Sequence, residues 1–304
     1  MAFFSNQQAT EQIKQVADTL NATSHELSSK EIFTHLFDHL KDGSELEIPF
    51  GHIELPHFTP INFYGLTIDL SITKHVAFIL FSSLLLIISL SIAARKNSKS
   101  KAPTGFGNLI EVLIIYIRDE IVLPNMGKSG LQYLPYLLTT FFFILVMNLF
   151  GLIPYGASST GNISVTAGLA IIAFIMIQYS AIKSQGIKHY LAHLTGGVQV
   201  WLWPIMIPIE IIGLFTKPFA LCIRLFANMT GGHLVILSLI GLIFIFKTYI
   251  VAPISVLFVV GINLLELFVA VLQAYVFTML TALFMGFGIQ AGENAHHEKE
   301  SHNH

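Results

Sequence analysis

The chain of 304 residues is 54% apolar and only 11% charged, whereas ordinary soluble domains carry about 25% charged residues. With a mean hydropathy of +0.69, this composition predicts a polytopic membrane protein. A net charge of −2 without a dense cluster of Lys and Arg gives no sign of a nucleic-acid-binding surface. The single cysteine, Cys222, excludes a disulfide framework and a multi-cysteine metal site.

Residues 1–74 are predicted to form a mostly polar leader outside the membrane. Within it, residues 7–21 and 28–40 have helical character. Residues 45–72 alternate short apolar pieces with three prolines, which favours extended or loop structure. The first 41 residues lack an apolar core, so we expect no cleavable signal peptide.

The first membrane span is predicted at residues 76–94, nineteen residues without a charge, which is close to the ~20 that cross a bilayer core. Basic residues follow it directly: Arg95, Lys96, Lys99 and Lys101. Because loops rich in Lys and Arg remain in the cytoplasm, this pattern places the N-terminus outside.

Residues 106–123 are apolar on a broad face and are interrupted by Arg118, Asp119 and Glu120, which predicts an amphipathic helix in the cytoplasmic interface. The second and third spans are predicted at 133–154 and 164–182. Lys183 and Lys188 then fall inside, in agreement with the first assignment.

Two very long apolar runs follow, at 201–246 and 249–290. A helix of about 45 residues would be ~68 Å long, twice the ~30 Å of the hydrocarbon core. Each run therefore either breaks into two spans or forms one strongly tilted helix. Tilt is favoured because neither run has a polar turn at its midpoint. The predicted fold is thus an all-α membrane protein with five transmembrane helices and one interfacial helix.

This organisation divides the chain into the leader, a membrane domain at 75–292 and a polar cytoplasmic tail at 293–304. The tail contains four of the thirteen histidines. A solvated tail is a better interpretation of these histidines than a metal site. No metal and no cofactor are expected.

Arg224 lies deep inside the first long run. A guanidinium keeps its charge, and a charge at the bilayer centre costs about 2.5–3.5 kcal/mol on insertion scales. Glu210, Lys217 and Arg224 follow one another at intervals of seven residues, so they share one helical stripe, and Asn228 lies close to it. His233 follows Arg224 by nine residues, roughly 14 Å along a helix axis.

In the second long run, the ionisable residue before the tail is Glu266. Asn263 precedes it by three residues and Gln273 follows it by seven. Structural alternatives remain for the polar groups of both runs: Lys217 snorkels to the surface, and the amides serve as hydrogen-bonding contacts between helices. Packing alone does not account for a mid-run arginine.

The two long helices are joined by a short turn and are therefore antiparallel. A register that sets Arg224 level with Gln273 also sets His233 nearly level with Glu266. An imidazole paired with a carboxyl group is a competent proton relay near neutral pH. The same register places Glu210 opposite small residues, Gly286 and Gly288, where water has room beside the carboxylate.

Four stretches carry a resemblance to a known family: residues 136–139 (YLLT), 148–154 (NLFGLIP), 224–229 (RLFANM) and 272–275 (LQAY). Together they closely resemble subunit a of F-type ATP synthases, over about residues 56–290. The resemblance implies a membrane stator against which a ring of c subunits rotates. It also implies that the two long helices are tilted around that ring.

By this resemblance, Arg224 is the essential arginine that faces the ion-carrying carboxylate of each passing c subunit and blocks a proton short-circuit. Gln273 and Asn228 match the family's polar residues beside it. The resemblance does not explain the long leader before residue 45.

The resemblance also assigns two half-channels. Glu210 matches a polar position of the cytoplasm-facing half-channel. His233 and Glu266 match two coupled positions of the other, with Asn263 beside Glu266. Many bacterial members carry the acid and the histidine the other way round, whereas this chain has the arrangement of the mitochondrial proteins.

The expected function is therefore proton translocation by a multi-pass protein of a bacterial inner membrane. Its expected partners are a c-subunit ring, b-type peripheral stalk subunits, the other ATP synthase subunits and the lipid bilayer, with no nucleic acid. The chain lacks a Gly-x-x-x-x-Gly-Lys-Ser/Thr loop, so ATP chemistry belongs to partner subunits and the chain is no enzyme by itself. The alternatives are a stand-alone proton-coupled transporter, a sodium-translocating version of the same subunit, and a purely structural subunit.

Overall fold

The computed structural model describes nine ranges of the chain: 45–48, 51–56, 61–63, 66–68, 71–99, 105–153, 159–194, 200–246 and 251–301. The helical character predicted at 7–21 and 28–40 lies outside these residues. One compact unit contains residues 42–236 and 259–304, and residues 237–258 belong to a second one. The predicted site residues all lie in the first of these units.

Extended structure is found before the first membrane helix, as two antiparallel hairpins. β1 (Glu45–Ile48) pairs with β2 (Gly51–Glu54), and β3 (Ile61–Phe63) pairs with β4 (Leu66–Ile68).

The part of the chain assigned to the membrane is all-α. Its α-helices are α1 (Lys74–Lys99), α2 (Phe106–Tyr116), α3 (Leu123–Met126), α4 (Leu134–Gly151), α5 (Ile163–Gln185), α6 (Ile187–Leu194), α7 (Trp203–Phe246) and α8 (Val251–Ser301). In the described ranges, five helices are long and apolar enough to cross a membrane: α1, α4 with the turn before it, α5, α7 and α8. The prediction of five spans is thereby confirmed.

The helix predicted at 106–123 continues to Met126, although three charged residues interrupt its apolar face. A π-helical segment, Ile117–Val122, joins α2 to α3 without a break. Arg118 and Asp119 pair with each other on its exposed side. Ile117, Ile121 and Val122 are completely buried on the other side, so burial of one face offsets the charged interruption.

Each long apolar run forms one continuous helix, so the alternative of two spans per run is wrong. α7 has 44 residues and contains Pro208 and Pro218, and α8 has 51 residues. At 1.5 Å per residue they measure about 66 and 76 Å. Helices of these lengths cross a ~30 Å core only by tilting or by extending beyond it.

The polar tail predicted from residue 293 continues α8 as far as Ser301. Glu, a good helix former, supplies three of its twelve residues. Glu293 also accepts a hydrogen bond of 2.7 Å from the Ser129 hydroxyl, which ties this part of α8 to the turn before α4.

Gly286 and Gly288 have a different role from the one that the sequence predicted. They do not leave room beside Glu210, because other parts of the chain occupy the space over them. A Cβ atom on Gly286 would collide with the Asn125 carbonyl, and one on Gly288 would collide with Ala181. The same Asn125 carbonyl accepts a hydrogen bond of 3.1 Å from Gln290. The glycines allow close packing of helices.

We expect Gly286→Ala to destabilise the fold, because its methyl group must displace the Asn125 backbone. Overpacking of this kind costs about 1–3 kcal/mol. Gly261→Ala is the matched control: it lies in the same helix with open space around the added Cβ. Thermal inactivation of the purified assembly measures the effect. A midpoint lowered by a few degrees in Gly286→Ala alone is expected, and equal midpoints in both variants would contradict this packing.

Candidate functional site

A close polar contact between the two long helices joins His233 of α7 to Glu266 of α8. The His233 Nδ1 atom lies 2.7 Å from Glu266 Oε1. Glu266 is only 3% exposed, whereas His233 is half-buried. The predicted pairing of these two side chains is confirmed as a contact.

A glycine beside His233 makes room for this carboxylate. A Cβ atom on Gly232 would lie 2.8 Å from Glu266 Oε1, whereas one on Gly231 would meet nothing within 4 Å. Only the absence of a side chain at position 232 lets Glu266 approach α7 so closely. The second oxygen, Glu266 Oε2, is buried without a hydrogen-bond partner in the described part of the chain. It is available to a proton or to water, since buried polar atoms are rarely left unsatisfied.

The second contact between these helices differs from the predicted register. Gln273 is 2% exposed, and its Oε1 accepts a hydrogen bond of 2.8 Å from Asn228 Nδ2. Asn228, one turn further along α7 than Arg224, is thus the residue that meets Gln273. The predicted register supposed that Arg224 lies level with Gln273, whereas the hydrogen bond to Gln273 comes from Asn228.

Arg224 lies on the exposed face of α7. The neighbouring Leu221 and Leu225 are buried in the core, so packing directs Arg224 away from the protein. Among the residues that the structure describes, no side chain pairs with it. Exposed apolar side chains surround it in sequence, as in Phe219 and Ile223. The cation thus lies on an apolar surface.

The remaining predicted site residues occupy separate positions. Glu210 is half-buried, and Asn263 is exposed on α8. Lys217 is half-buried, with its Nζ 5.1 Å from the centre of the Phe284 ring on α8. The contact fixes Lys217 along α8 by a cation–π interaction, a detail that its expected snorkelling did not include.

A buried polar cluster was not recognised as part of the site by the sequence analysis. Asn148 of α4 is 1% exposed; its Nδ2 donates a bond of 3.3 Å to the Ala270 carbonyl of α8. Its Oδ1 accepts a bond of 2.8 Å from the Thr160 hydroxyl. Ala270 lies between Glu266 and Gln273 in sequence, so this cluster fixes the rotation of α8 that turns both side chains towards α7. The sequence feature that could have indicated this cluster is Asn148 itself, a polar residue within an apolar run.

The geometry of His233 and Glu266 is suited to proton transfer. In the part of the chain that the structure describes, no group of three or more His, Cys, Asp or Glu side chains is placed to hold a metal ion. His233 and Glu266 form a pair in which a proton can move between an imidazole and a carboxylate. The side chains that can carry a proton are separated along α7 by a fixed cation.

The chain is similar to known proteins over most of its length. Residues 76–286 match the protein family described as ATP synthase A chain. The chain is 50% identical to ATP synthase subunit a of Chloroherpeton thalassium over 271 residues, 87% of this chain and 80% of that protein. It is 52% identical to ATP synthase subunit a 2 of Chlorobaculum tepidum, over 88% of this chain and 76% of that one. It is 50% identical to ATP synthase subunit a of Myxococcus xanthus, over 78% of each.

We expect Gly232→Ala to disturb the contact between His233 and Glu266, because its methyl group would lie too close to the carboxylate. Gly231→Ala is the control, since an added Cβ there meets open space. The measurement is the ¹⁵N signal of His233, assigned with His233→Gln in histidine-labelled protein. The account predicts a displaced signal in Gly232→Ala only. An unchanged signal in that variant would show that the glycine is not needed for the contact.

Proposed function

This chain belongs to the ATP synthase A chain family, and we propose that it is the proton-conducting stator subunit of an F-type ATP synthase. In this role it offers two offset aqueous half-channels to a rotating ring of c subunits, and so converts the proton-motive force into rotation. The chain is a multi-pass membrane protein, and the bacterial relatives support a place in a bacterial inner membrane.

The observation that carries the proposal is the exposure of Arg224 on an apolar helix face. A charge in this position costs about 2.5–3.5 kcal/mol unless a partner offsets it. Glu266 is buried against His233 and does not reach Arg224. Glu210 is fourteen residues away in the same helix, about 21 Å along the axis.

The missing counter-ion is therefore best supplied by another subunit. An acidic side chain on a c-subunit helix that passes along α7 would meet Arg224 within the membrane. The arginine would stabilise this carboxylate in its ionised form, since an opposite charge at 4–6 Å favours ionisation. When the carboxylate takes up a proton, the attraction is lost and the rotor is free to move on.

The two half-paths lie on opposite sides of Arg224. His233 and Glu266, with Asn263 on the same helix, belong to the outward half-path, and Glu210 belongs to the inward one. The basic residues at the ends of α1 and α5 support this orientation, with the N-terminus outside and the C-terminus inside. A proton that moved straight along α7 would have to pass a fixed cation, which prevents a short-circuit.

During ATP synthesis, each incoming c-subunit carboxylate releases its proton towards Glu210 as it reaches Arg224. It is then protonated again through His233 and Glu266 before it returns to lipid. Asn228 and Gln273 support Arg224 by holding α7 and α8 together next to it. ATP chemistry takes place in other subunits of the complex, and b-type peripheral stalk subunits prevent this chain from rotating with the ring.

The alternatives agree less well with this geometry. In a stand-alone transporter, an arginine that binds an anionic substrate would line an enclosed polar cavity, whereas Arg224 lies on an exposed helix face. Co-purification with a ring of small hairpin subunits would support the stator, whereas a solitary active protein would support the stand-alone transporter. A sodium-translocating version would use the same stator, since the rotor carboxylate and its surroundings select the ion.

We expect Arg224→Ala to abolish ATP synthesis driven by a proton gradient in membrane vesicles. Without the cation, the rotor carboxylate loses its counter-ion and the half-paths lose their barrier. Arg118→Ala is the control, because Arg118 is exposed and pairs with Asp119 alone among the described residues; such pairs contribute about 1 kcal/mol or less. Normal coupling in Arg224→Ala would eliminate the stator mechanism, and a purely structural subunit would then remain.

For the outward half-path, we expect His233→Ala and Glu266→Ala to impair proton flux non-additively. Each variant breaks the same pair, so the double variant should lose little more than the worse single one. Proton flux into vesicles under an imposed potential is the measurement. Independent losses that multiply in the double variant would show that the two residues do not act as one unit.

A further inference from the structure

A further polar contact lies on the inward side, between α5 and α6, which contribute no residue to the site described above. The Tyr190 hydroxyl of α6 donates a short hydrogen bond to Gln178 Oε1 of α5. Both side chains are half-buried, and Gln178 is two turns inside the end of α5.

A glycine makes this contact possible. Gly186 ends α5 with φ of 76°, a conformation that L side chains rarely adopt. Its carbonyl then accepts the first hydrogen bond of α6, from the Tyr190 backbone at 3.0 Å. The chain therefore turns sharply at Gly186, and the tyrosine ring of the new helix reaches back along α5.

The contacts between α5 and α7 place Gln178 level with Glu210. These helices are antiparallel because they are successive membrane spans. The Oγ1 atom of Thr166 lies 3.5 Å from the Sγ atom of Cys222. Two turns further along α5, the ring of Phe174 stacks on the ring of Phe215, with 5.5 Å between the ring centroids. Four more residues along each helix lead to Gln178 and Ile211, the neighbour of Glu210.

The ionisation of Tyr190 gives independent support for this placement. Burial raises the pKa of the Tyr190 hydroxyl, and the negative charge of Glu210 raises it further. The hydroxyl therefore keeps its proton at neutral pH. It donates that proton to Gln178 and retains lone pairs that can accept a hydrogen bond.

We propose that Tyr190, held in place by Gln178, is a positioning residue of the inward half-path that acts through Glu210. Its hydroxyl accepts a hydrogen bond from the protonated Glu210 carboxyl, directly or through one water molecule. This contact holds the carboxyl at the inner mouth of the path when the rotor has delivered a proton. The inference rests on the proposed function, because it assigns Tyr190 to a path that ends at Arg224.

The route from this point to the inner surface passes the turn between α5 and α6. Gln185 Oε1 and His189 Nδ1 are buried here without hydrogen-bond partners among the described residues. Buried polar atoms of this kind are commonly satisfied by ordered water. The turn at Gly186 thus provides polar groups between Tyr190 and the cytoplasm, where a proton released by Glu210 can leave.

The experiment uses the intact complex in vesicles. Tyr190→Phe removes the hydroxyl and keeps the ring, and we expect a roughly three- to tenfold loss of proton flux, the value of one hydrogen bond. Tyr179→Phe is the matched control, because Tyr179 is an exposed neighbour of Gln178 whose ring faces Lys183. An unchanged flux in Tyr190→Phe would overturn the proposal.

Combining Tyr190→Phe with Glu210→Gln distinguishes action through Glu210 from a purely structural role of Tyr190. If Tyr190 acts through Glu210, adding Tyr190→Phe to Glu210→Gln should cause almost no further loss. Equal fold losses of flux in both backgrounds would overturn the proposal, even if Tyr190→Phe alone is impaired. Immunoblotting for complex content excludes an effect of assembly on the comparison.

Arg224→Ala in the same preparation separates this inference from the proposed function. If Arg224→Ala abolishes coupling while Tyr190→Phe equals the wild type, only the role of Tyr190 is wrong. If Arg224→Ala leaves coupling intact, the stator mechanism itself is wrong. The placement of Gln178 level with Glu210 is tested by a short thiol cross-linker in a Cys222→Ala background. Gln178→Cys should cross-link to Ile211→Cys, whereas Gln178→Cys should not cross-link to Ile223→Cys.

Discussion

A permanent cation on an apolar surface is the constraint on which the rest of this molecule depends. Arg224 cannot lose its charge, and the described residues of its own chain provide no counter-ion. Packing of Leu221 and Leu225 into the core directs it outwards. In the proposed function, this cation gains a counter-ion only when another subunit supplies a carboxylate. A partner carboxyl group is attracted to Arg224 when it is ionised and is released when it takes up a proton.

The residues around Arg224 serve to keep this surface in one geometry. Two long helices with few polar groups could slide or rotate against each other at little cost. The Asn228–Gln273 bond and the His233–Glu266 contact fix their register on one side. The bond from Asn148 to the Ala270 carbonyl fixes the rotation of α8 from the other. Because these bonds lie in a low dielectric, each is more costly to break than it would be in water.

The sequence was sufficient for the five membrane spans, because these depend on length and composition along one helix. It also paired His233 with Glu266, since two residues at equal depth on antiparallel helices must be neighbours. It did not predict that Asn228 hydrogen-bonds to Gln273, because helix crossing and side-chain direction are not encoded in residue counts. The packing of Gly286 on Asn125 and the return of Tyr190 to Gln178 were not predictable, since both depend on contacts with helices distant in sequence or on a turn at one glycine.

The measurement that tests the central claim most directly is a density map of the assembled complex. The account predicts that the Arg224 guanidinium faces the rotor and lies within about 4–6 Å of an acidic side chain on the nearest c-type helix, close enough to favour ionisation. The His233–Glu266 pair and Glu210 should lie on opposite sides of that contact. An Arg224 side chain that faces lipid, or that pairs with a carboxylate of its own chain, would contradict the account.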